Sequence, residues 1–224
     1  MTSESRQDAR SCAVAQQVCA WLLTYPDDRL FEKIPLLAGA VLELPDDTRH
    51  SIEAFLDYLA RTAGQQVQEH YVATFDMRRK CSLFLTYWTH GDTRNRGMAL
   101  LHFKQTYRTA GVVPSEEELP DHLAVVLEFA AIGDSREGNL LLGEHRAPIE
   151  LLRDALHTVD SPYSNVLDAV VATLPPMTKE LAERAQALAA SGPPTELVGV
   201  GGPVDISIAP YSITHSSATA GAGQ

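Results

Sequence analysis

Cysteine is scarce in this chain: Cys12, Cys19 and Cys81 are odd in number and none belongs to a CxxC pair, so neither a disulfide framework nor a thiolate zinc site is indicated. Long apolar runs are missing too. No stretch approaches the roughly twenty apolar residues of a membrane span, which argues against membrane insertion. The opening MTSESRQDAR has no signal-peptide core, and a reducing cytoplasm is the expected compartment. Basic residues are in deficit, 18 against 29 acidic, and the formal net charge of −11 argues against nonspecific nucleic-acid binding, which needs a cationic surface. No GxSxG, P-loop or paired-carboxylate signature occurs, and the eight histidines match no HExxH or Cys/His spacing, so no catalytic group, cofactor site or metal site is expected.

What is present is alanine, leucine and helical periodicity. Residues 1–10 read as a polar arm, 11–190 as one helical domain, and 191–224 as a Gly/Pro/Ser-rich tail that buries too little apolar surface to order itself. The fold class expected is all-α, a single-domain helical bundle with a disordered or irregular C-terminal tail. Val14, Val18, Trp21, Leu22 and Tyr25 make the first stripe, broken at Pro26. Asp27 or Asp28 caps the next helix, which Pro35 should interrupt or kink, and the turn at Pro45-Asp46-Asp47-Thr48 precedes a stripe of Ile52, Phe55, Leu56 and Leu59. Leu123, Val126, Leu127 and Ala130 mark a later helix with Pro120 in its first turn; Ile149, Leu152 and Leu156 mark another. Val166, Leu167 and Val170 mark one more, and an Ala-rich helix follows Pro175-Pro176.

The segment 71–122 is the densest in aromatic and basic residues. Val67, His70, Tyr71, Thr74 and Phe75 predict a helix to about Arg79, and a second helix is expected over 83–90, ending at Gly91. Asp92 and Thr93 can cap a third, with Leu100, Phe103, Tyr107 and Ala110 on one stripe and Gly111 at its end. Ser115-Glu116-Glu117-Glu118 has capping-box spacing before Leu119-Pro120-Asp121-His122.

These residues also carry a resemblance. Tyr71-x-x-x-Phe75-Asp76, Leu83-x-Leu85, His90-Gly91-Asp92-Thr93-Arg94-x-Arg96-Gly97, Tyr107-Arg108-x-Ala110-Gly111 and Leu119-Pro120-Asp121-His122-Leu123 with Leu127-Glu128-Phe129 resemble the NarJ-type assembly chaperones of respiratory nitrate reductase. The resemblance covers roughly 21–174. It implies a chaperone, not an enzyme, that binds the N-terminal helical segment of the apo catalytic (alpha) subunit, holds it open for molybdenum-cofactor insertion and delays membrane docking. Cofactor-delivery proteins are further candidate partners. The same resemblance implicates the Pro-Asp-His element in client binding.

The site expected from residues and resemblance together is an apolar groove with an acidic rim, formed by Tyr71, Phe75, Tyr87, His90, Asp92, Arg94, Arg96, Asp121 and His122. Two readings compete for the charged members. Arg78, Arg79, Lys80, Arg94 and Arg96 could form one anion pocket, which would suit a phosphate- or nucleotide-binding enzyme. Alternatively, Arg94 and Arg96 pair with Asp76, Asp92 or Asp121 and pin the turns together. A chaperone of a related molybdoenzyme is the other alternative.

Overall fold

A computed structural model describes residues 3–91, 94–113 and 118–192, and every regular element among them is helical. Helix α1 (Ser3–Leu22) begins inside the stretch expected as a polar arm and buries Ala15, Val18, Cys19 and Leu22. Asp27 opens α2 (Asp28–Val41), its carboxylate accepting the Leu30 N–H at 3.2 Å. This helix runs through Pro35 unbroken. The ring lies on the exposed face, where water can serve the carbonyl that loses its donor. Helix α3 (Asp46–Arg61) starts after Pro45 with no side-chain cap, and Thr48 is buried with Ile52, Phe55, Leu56 and Leu59.

The central segment departs from its helical reading. Helix α4 (Gly64–Tyr71) passes into a π-helical turn over Val72–Asp76, and Arg78 is already extended, at φ −119° and ψ 103°, before a 3-10 turn at Arg79–Cys81. Residues 82–85 are extended too. The Leu85 N–H donates to Asp121 O at 3.0 Å and the Leu123 N–H to Leu83 O at 2.9 Å, an antiparallel bridge centred on Phe84 and His122. Only Tyr87–His90 is helical (α5), closed by Gly91 at φ 55°. Cys81, Leu83 and Leu85 are buried while Ser82 and Phe84 are half-buried, which is a period of two that an extended segment satisfies and a helix does not.

Helix α6 (Asn95–Thr109) turns Phe103 and Tyr107 inward and ends before Gly111 at φ 76°. Pro120 lies in the turn ahead of α7 (Leu123–Glu128), not in its first turn, and the cap is His122, whose Nδ1 accepts the Ala124 N–H at 3.2 Å. A second π-helical turn over Phe129–Gly133 leads to α8 (Ser135–Glu144), a helix that periodicity did not predict; Asp134 caps it by accepting from the Arg136 and Glu137 N–H groups. Gly138 is what lets α8 approach so closely, since a Cβ there would lie 2.4 Å from Ala130 Cα. Helices α9 (Arg146–Thr158), α10 (Tyr163–Ala172) and α11 (Lys179–Ser191) complete the body.

The core forms where α10 packs on α3 and α1, α1 on α7, and α9 on α10 and α11. Cys12 and Cys19 share one face of α1, their thiols directed at the Thr173 and Val166 carbonyls respectively. Asp92 and Thr93, most of the expected capping box, and the tail from 193 onward lie outside the described residues.

Candidate functional site

Tyr163 is the centre of an aromatic cluster that fixes one wall of the site. Its ring centroid lies 4.7 Å from Phe55, 4.8 Å from Phe75 and 5.9 Å from Tyr71. The Tyr71 hydroxyl donates to Leu23 O at 3.1 Å, tying the end of α4 to the end of α1. The π-helical turn then places Phe75 beside Tyr71, centroids 4.8 Å apart, and leaves Asp76 exposed next to them.

Between these residues and α7 opens a cleft of about 480 Å³. Its walls are Ala20 and Trp21 of α1, Tyr25 in the following turn, Tyr71 and Phe75, Leu83 and Phe84 of the extended segment, and His122, Ala124 and Val125. The carboxylates of Asp76, Glu118 and Glu128 border it, and all three residues are exposed. Tyr25 meets Tyr71 edge-on at 5.6 Å, and Lys33 covers the Trp21 ring at 4.6 Å. Burial above all, then the charges of Asp76 and Glu118, push the Tyr71 phenol well above its ordinary pKa. Burial pulls the His122 imidazole below its ordinary value, against the opposing pull of Glu118 and Asp121. The cleft thus has apolar walls, an acidic rim and a neutral histidine.

Of the residues expected to form the site, Tyr71, Phe75 and His122 line this cleft. Asp121 does not. It is fully buried, and its Oδ2 accepts from the Thr86 N–H at 3.1 Å and the Thr86 hydroxyl at 2.5 Å. Arg96 reaches the same group, with Nη2 3.6 Å from Asp121 Oδ2, Nε donating to Thr86 Oγ1 at 3.2 Å, and the guanidinium 5.2 Å from the Phe84 ring centre. Asp121 and Arg96 therefore brace the bridge behind the cleft wall, the pinning alternative rather than a contact surface. Tyr87 is buried in α5, His90 bonds Thr89 through Nδ1 at 2.7 Å, and Arg94 lies exposed ahead of α6. Asp92 lies outside the described residues.

The basic cluster is divided. Arg78, Arg79 and Lys80 line a second cleft of about 440 Å³ against α9, α11 and Trp88, and Arg96 is not among its lining residues. Among the described residues no group of His, Cys, Asp and Glu could hold a metal ion, and no helix is long and apolar enough to cross a membrane.

Sequence reasoning missed Trp21, Tyr25, Phe84, Asp76, Glu118 and Glu128 as members of one site. Trp21 and Tyr25 were visible as the end of the first stripe, and Asp76 and Glu128 lie inside the motifs already singled out. What joins them is the bridge between 83–85 and 121–123, which carries no local signal.

A family model for the nitrate reductase delta subunit matches residues 42–168, which includes all of the cleft except its α1 wall, Thr24 and Tyr25. The nitrate reductase-like protein NarX of Mycobacterium tuberculosis H37Rv is 41% identical over 167 residues, 71% of this chain but 24% of NarX. The probable nitrate reductase molybdenum cofactor assembly chaperone NarJ of Bacillus subtilis 168 is 33% identical over 154 residues, covering 68% of this chain and 84% of that protein. The chaperone of the same name in Escherichia coli K12 is 30% identical over 153 residues, 67% of this chain and 65% of its own length. The chain thus spans about a quarter of NarX and most of the Bacillus protein.

Proposed function

This chain belongs to the nitrate reductase delta subunit family, and from that premise we propose that it is a cytoplasmic assembly chaperone, not an enzyme. It binds the N-terminal segment of the apo catalytic subunit of a nitrate reductase, keeps that subunit open for molybdenum-cofactor insertion and delays its docking to the membrane. The observation that carries the client reading is the shape and charge of the first cleft: aromatic walls bordered by Asp76, Glu118 and Glu128. An amphipathic helix places its apolar side chains at i, i+3, i+4 and i+7 along such a trough while its basic residues meet the carboxylates. Its volume lies within the range of about 300–1,000 Å³ usual for ligand sites. Chaperone bound to the open subunit disfavours the closed one by mass action, with no catalytic group required.

Calorimetry with a synthetic peptide of the catalytic subunit's N-terminus tests this. Asp76→Lys with Glu128→Lys alters only exposed rim positions, so circular dichroism and thermal midpoint should stay near wild type while peptide affinity falls at least tenfold. Wild-type affinity in that variant would remove the cleft from client capture.

A further inference from the structure

Helix α6 stands on the body as a ridge: of its 15 residues Phe103 and Tyr107 are buried and nine are exposed. Those two rings anchor it, Phe103 with its centroid 4.9 Å from His145 and Tyr107 4.6 Å from Phe129, the Tyr107 hydroxyl donating to Pro120 O at 2.6 Å. Met98, Leu101, Lys104 and Arg108 are all exposed, and their spacing puts them on one helical face, the one turned away from the anchoring rings. Residues 94–113 contain Arg94, Arg96, Lys104 and Arg108 but no Asp or Glu, in a chain of net charge −11. Arg96 turns inward to Asp121, while Lys104 and Arg108 flank the exposed apolar pair.

Apolar side chains set among cations on a convex helix are what the first cleft suits, with its apolar walls and the exposed carboxylates of Asp76, Glu118 and Glu128. The chain cannot place α6 in its own cleft, because Phe103 and Tyr107 hold the helix to the body by its other side. A second copy can. Ridge and cleft are also neighbours: through Tyr107, α6 is bonded to Pro120, in the segment that carries Glu118 and His122 into the cleft. With the convex and concave parts side by side, one twofold axis seats each copy's ridge in the other's cleft, so the contact closes as a pair instead of growing into a filament. We propose that the outward face of α6 is a self-association surface. Met98 and Leu101 enter the first cleft of a second copy, and Lys104 and Arg108 meet its rim carboxylates. The pair covers both client sites, and a client displaces the second copy by mass action. Because the charges involved are exposed and screened by salt, the pair is weak enough to yield. This inference rests on the reading of the first cleft as the seat of a basic amphipathic helix, and it adds a competitor for that seat.

Sedimentation velocity of the full chain over a wide range of concentration is the test, with circular dichroism to check that each variant is folded. The wild type should pass from one copy to two as concentration rises, and return to one when the client peptide is added. Lys104→Glu with Arg108→Glu, both exposed positions, should weaken pairing by about tenfold or more, and so should Asp76→Lys with Glu128→Lys. Mixed in equal amounts, these two variants should pair again, since the acidic ridge then meets the basic rim and the basic ridge the acidic rim. Peptide affinity of Lys104→Glu with Arg108→Glu, read by calorimetry on dilute protein, should stay near wild type. A chain that stays single at every concentration would overturn the proposal, as would pairing indifferent to either charge reversal or a mixture that stays single. Anionic phospholipid vesicles that bind through Lys104 and Arg108 while the chain remains single would assign α6 to a lipid surface and overturn it as well. The two readings separate cleanly: peptide binding by a chain that never pairs sinks the pairing alone, whereas pairing that follows both reversals with no peptide heat sinks the client alone.

Discussion

Replacing Asp121 by alanine should unfold this protein more readily without touching the lining of the first cleft, the proposed client site. The carboxylate is fully buried and serves two donors of Thr86, at 3.1 and 2.5 Å, with Arg96 Nη2 at 3.6 Å. A hydrogen bond to a charged group contributes about 1.5–3 kcal/mol, and removing one member of a buried ion pair costs about 3–5 kcal/mol because the other charge is stranded. The two figures describe overlapping interactions and do not add. Arg96 keeps its bond to the Thr86 hydroxyl, and its side chain is 15% exposed, so partial rehydration places the expected loss near the lower end, about 3 kcal/mol. At about 2–4 °C per kcal/mol for a domain of this size, the thermal midpoint should fall by roughly 6–12 °C. Urea denaturation is the decisive assay: the midpoint should drop with an unchanged slope, since the surface exposed on unfolding is the same. Asp121→Asn keeps the shape and one acceptor and should lose less. A loss below about 1 kcal/mol would refute the bracing role. Peptide affinity, measured where the variant is folded, should stay within about threefold of wild type, under 1 kcal/mol; a stable variant that no longer binds peptide would return Asp121 to the contact surface.

Burial pulls His70, His122 and His145 below their ordinary value of 6.5. The unfolded chain then binds more protons than the folded one below pH about 6.5, so this contribution is intact above that pH and is lost as pH falls from there toward the folded values; the urea midpoint should decline in that window, and less steeply in His145→Gln. Gly138→Ala forces a Cβ to within 2.4 Å of Ala130 Cα and should cost about 1–3 kcal/mol. Gly143→Ala in the same helix meets nothing within 4 Å and should stabilise by about 0.4–1 kcal/mol, both read by urea denaturation. Cys19 is fully buried with its thiol pKa pushed up to about 12, so it should resist a thiol-specific reagent until the protein unfolds. Asp134→Ala removes the acceptor for two N–H groups at the start of α8 and should cost about 0.5–2 kcal/mol in the same assay.

Helical periodicity was sufficient wherever one face of a helix meets one core. Ile52, Phe55, Leu56 and Leu59 on α3, and Val166, Leu167 and Val170 on α10, are buried as their spacing requires. It failed where tertiary contacts override the period. The π-helical turn at Val72–Asp76 inserts extra residues per turn, so a 3.6-residue stripe drawn through Phe75 cannot continue to Arg79. Residues 82–85 are stabilised as an extended segment by partners 35 or more positions away, and no window centred on Leu83 contains them. Helix α8 escaped because three consecutive leucines and two glycines blur its stripe, and Asp134 is its one clear start signal. The residues singled out with the family resemblance include Tyr71, Phe75 and His122, which line the first cleft, but the resemblance carries no information on the direction in which each side chain points.

That direction decides which acid does what. In an extended segment neighbouring side chains point to opposite sides, so once Asp121 turns inward to Thr86, His122 must turn outward to the cleft, where its ring meets Phe84 edge-on at 5.3 Å. Asp121 is sealed from solvent and offset by Arg96, so it projects little field toward an approaching cation. Asp76, Glu118 and Glu128 are solvated and near the apolar walls, so they can steer a basic helix into place, with a reach set by a Debye length of about 8 Å at physiological salt. The buried acid holds the wall at which the exposed acids act. Substitution at the rim should lower the association rate and the salt dependence of the proposed peptide binding, whereas Asp121→Ala should leave peptide affinity near wild type as long as the bridge it braces holds.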